Sequence, residues 1–489
     1  MTAASPAARP LEHSEIRLIL AGVLLAMALA ALDQTIVATA LPTIGRELGD
    51  TDLLPWIVTS YLVTSTAIAP LYGKISDIHG RRPVLMAGIL MFVLGSVACA
   101  LAPTMLVLIL ARGLQGLGGG GLIAMGQTIM ADMVSPRERG RYQVYFASMF
   151  ATASLLGPVL GGLFAEHLHW SVIFWINLPL GALAFALSSH FLKRLPRHER
   201  PHALDVLGAV LLVAATVSML LVLNWGGIRY PWLSPQVLGL AGGSLALWLV
   251  FAYRLGSADE PLVPLALFAN PVIRWASLAA LFGMGTFIGL TVYVPAYLEV
   301  VKGMSAGDSG LALIPLMVGS VAGASTAGRV MLLVKHYKWV SVIGLGLAAT
   351  SALTLSFLPA GTPLWQLEIL FALSSAGVGT IFPVTTVSVQ NAVSPHQLGT
   401  ATGTVNFSRS MGGALLVAIL GAILLQGGVA ANLHGLGSGV RPEPSEAAIA
   451  AFSWMFRAAA LSALLGCLAL LQMEERPLRG RGMPVPAAD

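Results

Sequence analysis

The sequence holds 489 residues, 56% of them hydrophobic and 10% charged, where a soluble domain carries about 25% charged residues; this is a chain for a lipid bilayer. The net charge of +5 lies mostly in loops assignable to one side, which fits membrane orientation and gives no basis for nucleic-acid binding. Cys99 and Cys467 sit in separate apolar runs, which excludes a disulfide framework and a cysteine-rich metal site and marks both as inert core residues.

Glu12 and Glu15 precede the first apolar run, and that run is too long for the hydrophobic part of a signal peptide, so the first helix is expected to stay. A window of about 19 residues then picks out fourteen spans, near 18–41, 53–73, 84–102, 105–131, 142–166, 170–192, 204–224, 236–253, 275–298, 309–332, 339–358, 363–390, 399–425 and 452–472. With both termini cytoplasmic, the clusters Lys74/Arg81/Arg82, Arg137/Arg139/Arg141 and Lys193/Arg194/Arg197/Arg200 share one side. Arg46, Arg229, Lys302 and Arg441 are then outside, and Arg112, Arg409 and Arg457 lie within spans. A missed or invented span would scatter the clusters over both sides.

The first span closes on ALDQTIVATALP (31–42), in which Asp33 is the one acid. A carboxylate in hydrocarbon is costly, and such residues face a cavity or a partner. The turn after the second span reads GKISDIHGRR (73–82), placing Asp77 among Lys74, Arg81 and Arg82. That carboxylate can bridge neighbouring helix ends through charge-assisted bonds, made in one conformation and broken in another; setting topology requires neither Asp77 nor Gly73 and Gly80. The fourth span carries Arg112 and, about one turn on, Gln115, in LARGLQGLGGGG (110–121). Asp33 and Arg112 each lie about 8 residues from the outer ends of their helices, hence both about 12 Å deep and at matching levels. In the fifth span, Gly157 and Gly161 of GPVLGG (157–162) let another helix approach closely, and Pro158 removes a backbone donor beside them.

The seventh and eighth spans are joined outside by NWGGIRYPWLSP, whose Trp225, Tyr230 and Trp232 read as an interfacial anchor belt. The second half is poor in acids: Glu368 lies near the outer end of the twelfth span, and Arg409 lies deep in the thirteenth within VNFSRSMGG. Arg457 is close enough to the outer end of the fourteenth to snorkel. Gln390, Asn391 and Asn406 can offer a substrate neutral hydrogen bonds, and Phe146, Phe150, Tyr293, Tyr297 and Phe407 can offer apolar contact. The outer segment near 425–448 is Gly- and Pro-rich, and the stretch after Met473 is basic without an apolar pattern. No chemistry is assigned to either.

The fourth span ends GLGGGGLIAMGQTIMADMVSPRERG and the twelfth ends AGVGTIFPVTTVSVQNAVSPHQLG. Aligning Pro136 with Pro395 gives an offset of 395 − 136 = 259, which also carries Gly118 to Gly377, Gly120 to Gly379, Val134 to Val393 and Gly140 to Gly399. Helices one to six then answer to nine to fourteen as a parallel repeat, with seven and eight inserted.

LDQTIVATALP (32–42), GKISDIHGRR, LARGLQGLGGGG, GPVLGG and WSVIFWINLPLG (170–181), in this order, resemble the signature series of the major facilitator superfamily, specifically its fourteen-helix drug:proton antiporter branch. The resemblance implies an all-α polytopic membrane protein of two six-helix bundles plus two inserted helices. The expected division is a cytoplasmic segment 1–17, a bundle 18–192, an inserted pair 193–254, a cytoplasmic linker 255–274, a bundle 275–472 and a cytoplasmic tail 473–489.

It further implies alternating access around a cavity lined by helices one and four, with Asp33 and Arg112 coupling transport to protons. Gly73, Asp77, Gly80, Arg81 and Arg82 would latch the outward-facing state. Gly157, Pro158, Gly161 and Gly162 would form the antiporter motif where the two halves meet. The expected function is proton-coupled multidrug efflux of lipophilic or amphipathic compounds, the alternative being export of one metabolite, lipid or siderophore. Similar proteins that expel dications carry an added acid deep in the second half. None is found here apart from Glu368, so neutral or monovalent compounds are expected over dications, and two interior cations could favour anions. No phosphate-binding Gly-Lys loop, metal-spaced His pair or nucleophile constellation marks an enzyme. No cofactor is expected beyond the proton as coupling ion. The expected partners are a small-molecule substrate, protons and lipid, with no nucleic acid, for a monomer spanning a bacterial inner membrane.

Overall fold

The computed structural model describes residues 13–50, 53–194, 204–227, 229–426 and 445–478. Most of the Gly- and Pro-rich outer segment, the first twelve residues, the end of the tail and Arg197 and Arg200 lie outside the described residues. Among the described residues the structure is helical, and its one β-type contact is an isolated bridge between Gly226 and Tyr230. The chain divides into two compact units.

The first unit comprises Met1–Ser135, Leu156–Leu204 and Ser394–Thr400. It holds α1 (His13–Leu48), α2 (Leu54–His79), α3 (Arg81–Ala100), α4 (Met105–Met133), the second part of α5 (Pro136–His167), α6 (Val172–Trp175) and α7 (Asn177–Phe191). Helix α4 packs against α2 and α3, and α1 packs against α7. The glycine run makes this possible. A Cβ at Gly118 would overlap the Phe92 backbone and one at Gly120 the Ser65 backbone, so both faces of α4 press directly on neighbouring main chain.

The second unit comprises Pro136–Leu155, Asp205–Val393 and Ala401–Asp489. It contains α8 (Val206–Trp225), α9 (Pro235–Ser257), α10 (Leu265–Ala269), α11 (Pro271–Val300), α12 (Ala306–Leu311), α13 (Ile314–Leu333), α14 (Lys338–Leu355), α15 (Leu364–Gly379), α16 (Ile381–Ala392), α17 (Leu398–Gln426, from Ala401) and α18 (Glu446–Gln472). Helices α8 and α9 pack on each other and are tied by Arg254, whose Nε and Nη2 donate to Asp205 Oδ1 at 3.1 and 3.0 Å. Between them Trp225 and Tyr230 meet edge to face with centroids 6.2 Å apart, and the Arg229 guanidinium lies near both rings.

The repeat seen in the sequence has a counterpart in helix bounds and packing. Helix α4 starts at Met105 and ends at Met133, α15 starts at Leu364 and α16 ends at Ala392, and 364 − 105 and 392 − 133 are both 259. As α4 packs on α2 and α3, so α15 packs on α13 and α14. A Cβ at Gly73 would overlap the Gly399 backbone in the first unit, and one at Gly328 would overlap the Gly140 carbonyl in the second; Gly140 and Gly399 are again 399 − 140 = 259 apart.

Thirteen helical stretches among the described residues are long and apolar enough to cross a membrane. The remaining predicted span is α2, 26 residues long but lowered in hydropathy by Thr59, Ser60, Thr64, Ser65 and Thr66. Two of those hydroxyls are satisfied within their own helix: Thr64 donates to Ser60 O at 2.9 Å and Ser65 to Leu62 O at 3.1 Å. Two spans predicted as continuous are broken, at Ile176 and at Thr380. Pro179 and Pro383 follow within three residues, and neither can donate a backbone bond to the carbonyl four residues back. Large apolar side chains such as Leu94, Leu110, Leu249 and Leu333 are exposed, as a lipid-facing surface requires.

Candidate functional site

Four helical segments of the first unit converge on Asp33. The carboxylate is completely buried, and three side chains donate to it. Arg112 Nη1 lies 2.5 Å from Oδ2, Gln115 Nε2 lies 2.8 Å from Oδ1 and Asn177 Nδ2 lies 3.2 Å from Oδ1. The donors are themselves positioned. Arg112 Nε donates to Ile57 O at 3.1 Å and its Nη1 also reaches Gln115 Oε1 at 2.6 Å, while the Tyr61 ring lies 4.4 Å from the guanidinium carbon. Gln115 and Asn177 both donate to Ser96 Oγ, at 2.8 and 3.2 Å, and Ser96 Oγ in turn donates to Phe92 O at 3.0 Å. Each element delivers its side chain for a local reason: Arg112 and Gln115 are three apart on one face of α4, and Asn177 opens α7 at the break before Pro179. The expected Asp33, Arg112 and Gln115 are thus brought together. Asn177 and Ser96 are additions, visible in the sequence only as neutral polar residues within apolar runs.

The loop between α2 and α3 makes a second cluster. Gly80 has φ +89°, a left-handed conformation that only glycine adopts without strain, and it lets α3 begin immediately after α2 ends. Asp77 then points at the start of α17: Oδ1 accepts from Gly399 N at 3.0 Å, and Oδ2 accepts from Thr400 N and Thr400 Oγ1, both at 2.8 Å. Arg81 Nη1 donates to Asp77 Oδ1 at 2.5 Å and its Nε to Asp132 Oδ2 at 2.8 Å, so the last turn of α4 joins the same cluster. Gly73 permits the contact, since a Cβ there would overlap Gly399. Arg82 turns away to donate to Ser189 O at 3.1 Å beyond the middle of α7. Asp132 and Thr400 were not singled out in the sequence; Thr400 is 323 residues from Asp77, and nothing local marks it.

On α5, Gly157 and Gly161 face α1 directly after Asp33. A Cβ at Gly157 would overlap Thr35 and one at Gly161 would overlap Ile36 O and Thr39 Oγ1. Both glycines are therefore close-approach positions. A Cβ at Gly162 would meet nothing within 4 Å, so it is not a close-approach position; Pro158 lies within the same helix.

The remaining candidates do not form one cluster. Arg409 on α17 donates to Asn406 Oδ1 at 3.2 Å, Thr385 Oγ1 at 2.9 Å, Thr386 Oγ1 at 2.7 Å and Phe382 O at 3.1 Å. Phe407 lies against Trp248, with centroids 6.3 Å apart. Gln390 donates to Thr402 Oγ1 at 3.2 Å, and Asn391 donates to Pro477 O at 3.1 Å, tying α16 to the tail. Tyr293 donates to Val417 O at 2.9 Å, whereas Tyr297 packs edge-on to Phe452 and Phe456 inside a hydrophobic core cluster of the second unit. Phe146 is buried and Phe150 half-buried on the first part of α5, and Glu368 is half-buried one turn into α15. Among the described residues no group of three or more His, Cys, Asp or Glu side chains could hold a metal ion.

The family model of the Major Facilitator Superfamily matches residues 23–417. The chain belongs to the Major Facilitator Superfamily. It is accordingly a multi-pass membrane transporter and not an enzyme. Two superfamily relatives from Bacillus subtilis (strain 168) are similar over most of its length. One, named multidrug transporter protein MdtP, is 32% identical over 413 residues, 84% of this chain and 76% of the relative. The other, named multidrug resistance protein 3, is 34% identical over 416 residues, 84% of this chain and 80% of the relative. The fold is also that of the solved human organic anion transporter MFSD10 (TETRAN), at a TM-score of 0.66 and 19% identity over 93% of this chain and 99% of that one. Each of the two units is built around a glycine-faced helix, α4 in the first and α15 in the second.

Proposed function

We propose that the chain is a proton-coupled exporter of lipophilic or amphipathic compounds that works by alternating access. The observation that carries the coupling is the buried carboxylate with three donors. Asp33 Oδ2 accepts from Arg112 and Oδ1 from Gln115 and Asn177, so a proton added to either oxygen meets a donor already aimed at it. The arrangement is complementary to the ionised acid. Taking up a proton then requires Arg112 or the two amides to move, and protonation and helix movement become one event.

Two further features support the reading. Gly157 and Gly161 seat α5 on Thr35, Ile36 and Thr39, within two turns of Asp33, so displacement of α5 is transmitted to the turn that holds the carboxylate. Asp77 fastens the start of α17 through three hydrogen bonds, a contact that the cycle would make and release on the cytoplasmic side. Export rather than uptake is drawn from the names of the Bacillus relatives, and the interior acids and bases favour neutral or monovalent substrates over dications. The test is transport in proteoliposomes with an imposed pH gradient over a panel of compounds. Gradient-driven movement of lipophilic compounds supports the proposal, and movement indifferent to the gradient refutes it.

A further inference from the structure

The second unit contains a buried guanidinium with no acid among its partners. Arg409 is 5% exposed, and its partners are Phe382 O, Thr385 Oγ1, Thr386 Oγ1 and Asn406 Oδ1, all neutral. Its Nε is buried without an acceptor, and Nη1 spends one of its two hydrogens on Asn406. The guanidinium carbon lies 5.4 Å from the Phe382 ring centre, and Phe382 meets Phe287 edge to face at 6.3 Å. Arg112 in the first unit is as deeply buried, but its charge is answered by Asp33. A guanidinium cannot shed its proton in a protein, and buried charges are otherwise paired because neutral acceptors orient a charge without cancelling it. Securing the Phe382 carbonyl would need only a neutral donor.

We propose that Arg409 anchors an anion-binding subsite that takes the oxyanion group of an amphipathic substrate, such as a carboxylate, while Phe382 and Phe287 meet its apolar body. The proposal rests on the export reading above and names the class of compound exported. Thr385, Thr386 and Asn406 hold the guanidinium in place. Thr385 Oγ1 donates to Ile381 O at 2.7 Å, which leaves its oxygen as an acceptor for Arg409. The unused Nε–H and the second Nη1–H are the donors left for the incoming group.

The test uses the purified full chain and three probes with one body, a dansyl group on a ten-carbon chain ending in carboxylate, primary amide or trimethylammonium. At neutral pH and low salt the wild type is expected to bind the carboxylate probe about tenfold or more tighter than the amide, the scale of hydrogen bonds to a charged group. Arg409→Gln is expected to bring the carboxylate probe down to the level of the amide, and Arg409→Lys to retain part of the preference, since the charge stays and the planar fork is lost. A wild type that ranks the amide or trimethylammonium probe level with or above the carboxylate overturns the subsite, as does an unchanged ranking in Arg409→Gln. Should the Gln variant fail to fold, the wild-type and Lys rankings decide. Reconstitution under a pH gradient separates the two proposals. Driven transport without carboxylate preference overturns the subsite alone. Carboxylate-selective binding with no driven movement of any probe supports the subsite and overturns export.

Discussion

Asp77→Asn tests the role of the α2–α3 loop while changing one atom. The native carboxylate receives four hydrogen bonds, from Arg81 Nη1 and Gly399 N on Oδ1 and from Thr400 N and Thr400 Oγ1 on Oδ2. An amide can offer its oxygen to only one of those pairs and must turn an NH₂ toward the other. The Thr400 hydroxyl can turn round and accept from that NH₂ but the Thr400 N–H cannot, so at least one bond is lost and the charge with it. Hydrogen bonds to charged groups contribute about 1.5–3 kcal/mol each, and both charged side chains are nearly buried, with exposures of 9% and 6%, so solvent screening does not erase the effect. A net loss of about 3 kcal/mol shifts the equilibrium between latched and unlatched forms about 150-fold. His396 borders the small cleft beside Asp77, Arg81 and Asp132, and a His396→Cys substitution reports on its opening. In inverted vesicles, a membrane-impermeant maleimide is expected to label that cysteine at least about tenfold faster when Asp77→Asn is present. Equal labelling in two well-folded variants would show that the Asp77 contacts do not hold the latch closed.

Other outcomes follow from the same geometry. Gly161→Leu forces α5 away from Ile36 and Thr39 and is expected to cost about 1–3 kcal/mol, read as a lower melting temperature and lost transport; normal stability and turnover together would remove the close approach from the account. Asn177→Ala deletes donors to Asp33 and Ser96 at a cost of about 1–2 kcal/mol and should lower the melting temperature by a few degrees while shifting the pH dependence of transport. A pH profile identical to wild type would confine Asn177 to packing.

The spans and the repeat were legible in the sequence because hydrophobic length, basic loops and a glycine spacing are one-dimensional properties. Asp33 and Arg112 stood out for the same reason: a charge inside hydrocarbon is rare enough to be seen alone. Asn177 and Ser96 were not, since neutral polar residues in membrane helices are ordinary and only their convergence on one carboxylate distinguishes them. Thr400 was illegible for a different reason, since its partner lies far off in the chain and the bond uses main chain as much as side chain. Within GPVLGG, spacing could not say which glycine carries the contact, and the packing separates Gly157 and Gly161 from Gly162. Tyr297 and Asn391 show the limit of reading aromatic and amide residues as cavity lining. One sits edge-on between two core phenylalanines and the other bonds the tail, positions that depend on helix rotation and on chain beyond the last span.

The most direct measurement compares wild type with Asp33→Asn in proteoliposomes, recording substrate movement and luminal pH together under an imposed proton gradient. The amide keeps the size of the side chain and can still accept from Arg112, but it cannot take up and release a proton. The account predicts that the wild type concentrates substrate while discharging the gradient, and that Asp33→Asn still binds substrate but neither concentrates it nor passes protons. An Asp33→Asn variant that concentrates substrate at the wild-type rate, with the gradient verified, would contradict the assignment of the buried carboxylate as the coupling group.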